Sequence, residues 1–107
     1  MSGFDDREKA EESRFARKEE IEFKAMARRN KLLGLWAAQF LGLSGADADA
    51  YAATVVKADF EKPGDDDVFE KVRKDFNAKG VTQSDHQIRR QMEDLMAEAR
   101  RQIEAGV

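Results

Sequence analysis

Between Asp5 and Leu41 nothing in the sequence stops a helix: proline is absent and Gly34 is the only glycine. One helix over those 37 residues would span about 55 Å at 1.5 Å per residue. A folded domain of this size has a radius of gyration near ~13 Å, hence a diameter of only about 34 Å. The excess, about 20 Å, corresponds to about fourteen residues. Residues 5–18 therefore have nothing to pack on. They either project as a helix or are disordered when the protein is free. The expected organisation is an N-terminal arm over residues 1–18 and a globular domain over residues 19–107.

The composition of the first twenty residues agrees with that length argument. Twelve of them are charged, five basic and seven acidic, and their substantial apolar side chains are Met1, Phe4 and Phe15 alone. Ala, Glu, Lys and Arg favour a helix there, and Asp5 or Asp6 suits its positive end. Pairs such as Asp5–Lys9 and Glu20–Lys24 add only about 0.2–0.5 kcal/mol each. Such a segment forms a helix by propensity, not by burial.

From Ile21 onward the character changes without a break. Ile21, Ala25, Leu32, Leu35 and Trp36 lie on one broad side, widened by Met26, Leu33 and Phe40. Leu32 to Leu41 is apolar almost all round, as expected of a central helix. Gly42 and Gly45 supply its stop. Ser44 is placed to cap a second helix carrying Tyr51, Ala52, Val55, Val56 and Phe60, which Pro63-Gly64 ends. A third opens at Asp65-Asp66-Asp67 and buries Val68, Phe69, Val72 and Phe76 before Gly80. Ser84 and Gln87 form a capping box for a fourth. Its amphipathic face comprises Ile88, Met92, Leu95, Met96, Ala99 and Ile103, with Arg100 and Arg101 near its negative end. Sustained alternation of β-branched residues is missing, so no sheet is expected. The fold class is all-α: an antiparallel four-helix bundle with a projecting or disordered N-terminal arm.

Catalytic and metal chemistry find little to work with. The chain has no cysteine and one histidine, His86, placed in the first turn of the last helix. Thiolate and histidine-pair metal sites are thereby excluded, and His86 reads as a capping-region residue rather than a general base. Asp65-Asp66-Asp67 lacks the spacing and terminal glutamate of a calcium loop. Gly42-Leu43-Ser44-Gly45 lacks the lysine and preceding strand of a phosphate loop. No enzyme activity, catalytic residue, metal or obligatory cofactor is expected. A net charge of −3 argues against general nucleic-acid binding. No apolar run approaches the ~20 residues of a membrane helix. A soluble, cytoplasmic protein, monomeric when free, is the expectation.

Arg28-Arg29-Asn30-Lys31 beside Trp36 admits one small-molecule reading, in which Arg28, Arg29 and Lys31 hold the phosphates of ATP or ADP and Trp36 lies near the base. Contiguous positions cannot share one helix face, however. A solvated face abutting the core is the favoured account of this cluster. The arm has two readings from composition: a frayed terminus, or a segment that folds into a partner's groove with Phe4 and Phe15 as apolar anchors.

Four stretches then carry a resemblance: FDDRE (Phe4–Glu8), FKAMARRNKLLGLWAA (Phe23–Ala38), YAATVVKADFEKPGDDDV (Tyr51–Val68) and the amphipathic C-terminal end. Together they resemble the zeta subunit family, small inhibitors of the rotary ATP synthase of alphaproteobacteria. The resemblance spans nearly the whole chain, although Glu8 to Arg14 matches it poorly. It implies a four-helix fold whose N-terminal segment enters the catalytic head at an alpha/beta subunit interface and obstructs ATP hydrolysis. Carried over, the inhibitory segment is Ser2 to about Arg17, with Phe4, Asp5, Asp6, Arg7 and Phe15 as contact residues. The implied partners are the alpha, beta and gamma subunits of the synthase. The implied location is peripheral to the inner membrane, with no direct insertion. The globular domain would pack outside the head or on the central stalk.

Overall fold

A computed structural model gives the backbone of residues 2–61 and 65–106, and side chains at 18–59 and 66–106. Four helices follow in order: α1 (Ser2–Phe40), α2 (Gly45–Glu61), α3 (Asp65–Lys79) and α4 (Asp85–Glu104). No strand occurs among the described residues. The 39 residues of α1 make a rod of about 58 Å. It dominates a molecule measuring 65 × 25 × 22 Å, with a radius of gyration of 17.3 Å. That radius exceeds the ~13 Å of a compact domain of similar length, because α1 projects beyond the bundle.

Local chemistry sets the ends. Gly42 takes φ +76°, and the Leu43 N–H returns to the Ala38 carbonyl at 2.9 Å, closing α1 in a left-handed cap. Gly80 repeats the device at φ +70°. Its own N–H reaches the Asn77 carbonyl, and the Val81 N–H reaches the Phe76 carbonyl at 2.9 Å. The capping box at α4 forms in both directions: the Gln87 N–H donates to Ser84 Oγ at 3.1 Å and the Ser84 N–H to Gln87 Oε1 at 2.8 Å. The Ser44 carbonyl accepts the first bonds of α2, from Asp47 and Ala48. Pro63 and Gly64 lie outside the described residues.

The core joins Leu33 and Ala37 of α1, Val55 of α2, Val68, Val72 and Phe76 of α3, and Ile88 and Met92 of α4. The α3 and α4 stripes are those expected from spacing. The α1 seam is not. It runs through Ala25, Arg29, Asn30, Leu33, Gly34, Ala37 and Ala38, while Leu35 and Trp36 are half-buried beside it. Small side chains occupy the seam because α2 comes very close there: a Cβ on Gly34 would sit 2.5 Å from the Ala52 Cα. Trp36 instead joins an aromatic triangle, with ring centroids 5.1 Å from Phe40 and 5.8 Å from Phe76. One polar clamp ties α2 to α3. The Tyr51 hydroxyl donates to Asp75 Oδ2 at 2.8 Å, and Lys71 Nζ approaches the same oxygen at 2.8 Å.

Candidate functional site

The arm and its root on α1 form the part of the molecule that the packed core does not explain. The backbone of residues 2–17 is helical and continuous with the rest of α1. The side chains of Phe4, Asp5, Asp6, Arg7 and Phe15 lie outside the described residues. Lys18, Glu19 and Glu20 are exposed, Ile21 and Glu22 half-buried, and Ala25 fully buried. Among the residues whose side chains are described, burial of α1 thus deepens from Ile21 to Ala25.

The last two turns of α4 clasp that root. Arg100 forks onto Glu22, with Nε to Oε1 at 3.0 Å and Nη2 to Oε2 at 3.2 Å. Arg28 Nη1 donates to Gln102 Oε1 at 2.7 Å, and Gln102 Nε2 donates to Glu98 Oε1 at 3.0 Å. Arg101 completes the chain through its Nε at 2.9 Å from Glu98 Oε2. Hydrogen bonds from Arg101 and then Gln102 hold the Glu98 carboxyl below the usual carboxylate range. Two long-range contacts six residues apart on α1 thus join it to the end of α4.

The cluster Arg28-Arg29-Asn30-Lys31 is divided by the helix. Arg28 and Lys31 border one groove, with Phe23, Lys24, Val56 and Ile103. Arg29 borders a different depression with Arg89, Met92 and Arg100. Trp36 borders neither, being committed to the aromatic triangle. Reading all four as a solvated face is also corrected, because Arg29 is 3% and Asn30 1% exposed. Arg29 Nε donates to Asn30 Oδ1 at 2.7 Å, which lets two polar side chains enter the seam. His86 is exposed. Asp66 receives Arg89 Nη2 at 2.9 Å. No group of three or more potential metal-ligating side chains occurs among the described residues.

Sequence reasoning missed the clasp residues Glu22 and Gln102, and it missed Phe23, which is 61% exposed. A large aromatic one position before a basic residue carries no periodic signal of its own. The mismatch between Phe23 and the buried register of Ala25 was the available clue.

The described residues define an all-helical bundle led by one overlong helix. The comparisons give that class its family. The model of the ATPase inhibitor subunit zeta family matches residues 1–102, and the chain belongs to that family. A chain of known structure, described as the solution NMR structure of the protein, is similar at 49% identity with a TM-score of 0.71. The likeness covers 81% of the present chain and 99% of the other. No curated protein matches. No helix among the described residues is long and apolar enough to cross a membrane.

Proposed function

We propose that this chain is a non-enzymatic inhibitor of the rotary ATP synthase, acting by insertion of residues 2–17 at an alpha/beta interface of the catalytic head. Family membership supports the inhibitor role. The observation that carries the mechanism is the continuity of α1 from Ser2 to Phe40: an arm extending from a clasped root delivers a rigid push where a jointed tether would not. On this reading the chain divides at 18/19 into an inhibitory arm and a globular anchor. Phe4 and Phe15 fill apolar pockets, and Asp5, Asp6 and Arg7 meet opposite charges, conferring orientation and encounter rate. The partners are the alpha and beta subunits and the rotating gamma subunit. Through them the protein sits peripherally at the cytoplasmic face of the inner membrane, and it is a monomer when free.

Deleting residues 2–17 tests the mechanism. The shortened chain, checked for helicity by circular dichroism, is expected to lose inhibition of ATP hydrolysis by the isolated head. Equal inhibition by the shortened chain sinks the insertion model.

A further inference from the structure

Two helix segments that bury little meet where α4 ends. On α1 no side chain from Lys18 to Lys24 is buried, and on α4 none is buried from Arg100 to Gly106. The shared core lies further in, at Leu33 and Ala37 on α1 and at Ile88 and Met92 on α4. Ala99, the last buried residue of α4, offers only a methyl group. The long-range contacts of this region include polar ones open to water. In the fork between Arg100 and Glu22 the side chains are 49% and 42% exposed. Gln102, which accepts from Arg28 and donates to Glu98, is half-buried, as is Ile103 beside it. Water and salt screen an exposed ion pair, so such a fork adds little to global stability. Backbone supported by few buried apolar contacts opens locally, ahead of the rest of a fold.

We propose that the last two turns of α4 are a releasable strap on the root of α1: in the folded protein they open and close, turning residues 18–25 from part of the bundle into a joint. The inference rests on the inhibitor reading and adds a control to it. Closed, the strap holds Glu22 and Arg28 against α4, and the arm extends from a root that is already helical, with no new nucleation to make. Opened, the root loses both contacts and frays, and the helix that carries the arm starts near Ala25, the first buried residue. An arm on a frayed root must order when it meets a partner, and that ordering is subtracted from its binding. Opening therefore weakens inhibition. Ionic strength is the trigger that these contacts specify, because the exposed fork is screened as salt rises while the apolar seam at Leu33 and Ala37 is not. A strap differs from an ordinary part of the fold in one respect: its opening leaves the core closed.

The test uses the full-length chain, with hydrogen exchange followed amide by amide by NMR. Arg100→Glu and Glu22→Arg each break the fork, and Glu22→Arg/Arg100→Glu rebuilds it reversed. Each single variant is read on the helix it does not alter: Arg100→Glu at the amides of residues 22–25, and Glu22→Arg at those of residues 99–103. Exchange there is expected to be about 10-fold faster in the single variants and to return toward wild type in the double. The double carries both local changes in helix propensity, so recovery isolates the pair. The amides of Leu33 and Met92 keep their wild-type rates. Raising salt from about 0.05 M to about 0.5 M accelerates the wild-type root about threefold, a response the single variants lack. Half-maximal inhibition of ATP hydrolysis is expected to need about 10-fold more of either single variant, with recovery in the double. Unchanged exchange across the interface overturns the strap, and so does equal acceleration at Leu33 and Met92. Accelerated exchange with wild-type inhibition overturns its control of the arm. A wild-type chain that fails to inhibit sinks the inhibitor reading instead, while exchange in the free chain still decides whether the strap opens.

Discussion

The two halves of α1 share one helix axis and almost nothing else. Residues 1–20 contain twelve charged side chains, whereas the ten residues from Leu32 to Leu41 contain none. The second half sits at the centre of the bundle, with Leu33, Ala37 and Ala38 at 0–1% exposure. Burial holds it, and its stability is that of the whole domain. For the first half, composition supplies helix propensity without an apolar face. A helix already nucleated at Ile21 extends toward its N-terminus with roughly one hydrogen bond gained per residue fixed, so little free energy separates helix from coil there. The same backbone geometry thus serves two purposes. One half makes the fold; in the proposed function the other is held by a partner.

The strongest way to break this contrast is at the centre of the buried half. Leu33→Ala removes a fully buried side chain and is expected to cost about 3 kcal/mol or more, read as a lower midpoint in urea unfolding. An effect below about 1 kcal/mol would remove Leu33 from the centre of the core.

Gly34 sharpens the comparison further, because helix propensity and packing disagree there. Alanine is better than glycine in a helix by about 1 kcal/mol, so Gly34→Ala in a solvated stretch would stabilise. Here the new methyl would lie 2.5 Å from the Ala52 Cα, with Val55 Cγ2 3.3 Å away. Backbone cannot yield as a side-chain tip does, so α2 must move away from α1. A net loss of about 1–3 kcal/mol is expected. A rise in melting temperature would show that the two helices do not approach as closely as described.

Tyr51 tests whether α2 is also tied down by polar bonds. Burial, then the hydrogen bond and the negative charge of Asp75, push its hydroxyl well above the ordinary tyrosine range. The sign follows from linkage. In the unfolded chain Tyr51 ionises near pH ~10, while in the fold it stays protonated. Its contribution is therefore complete below about pH 10 and is lost as pH rises above that value. Tyr51→Phe should cost about 1 kcal/mol near neutrality and reduce the loss of stability above about pH 10. An unchanged alkaline slope would place the hydroxyl in water rather than against Asp75.

How far the sequence disclosed all this depended on contrast between faces. In α3 and α4 polar residues separate the apolar ones, and Val72, Phe76, Ile88 and Met92 were assigned to the core by spacing alone. The caps at Gly42, Gly80 and Ser84 were legible because each uses a residue whose chemistry has one obvious local purpose. Leu32 to Leu41 offers no such contrast. A helix apolar all round does not announce which side meets which neighbour, and bulk misdirected the choice toward Leu35 and Trp36 when close approach required Gly34 and Ala37. Arg29 was hidden for a different reason. Its burial depends on a bond to the adjacent Asn30 and on α4 passing alongside, neither of which spacing encodes. The arm was legible as an excess of length. Its role as an inhibitor came from the family resemblance, since composition fits a frayed terminus equally well.

The smallest expected effect on stability is the most informative about function. Phe4 is the outermost large apolar side chain after the initiator, and Arg7 lies three residues on, on the same helix face. If the arm belongs to the partner rather than to the core, Phe4→Ala and Arg7→Ala each change the unfolding free energy by less than about 0.5 kcal/mol. Seated in a groove of the synthase head, Phe4 becomes an aromatic anchor whose truncation costs about 2 kcal/mol or more of binding. Loss of Arg7 leaves a desolvated carboxylate without its cation, with a similar penalty. Each variant should therefore melt with the wild-type chain while requiring about 30-fold more protein for half-maximal inhibition of ATP hydrolysis. Calorimetry and ATPase titration of the same preparations separate the two quantities. A marked fall in melting temperature for Phe4→Ala would mean that the first turns of α1 are part of the fold, and the contrast between the halves would collapse.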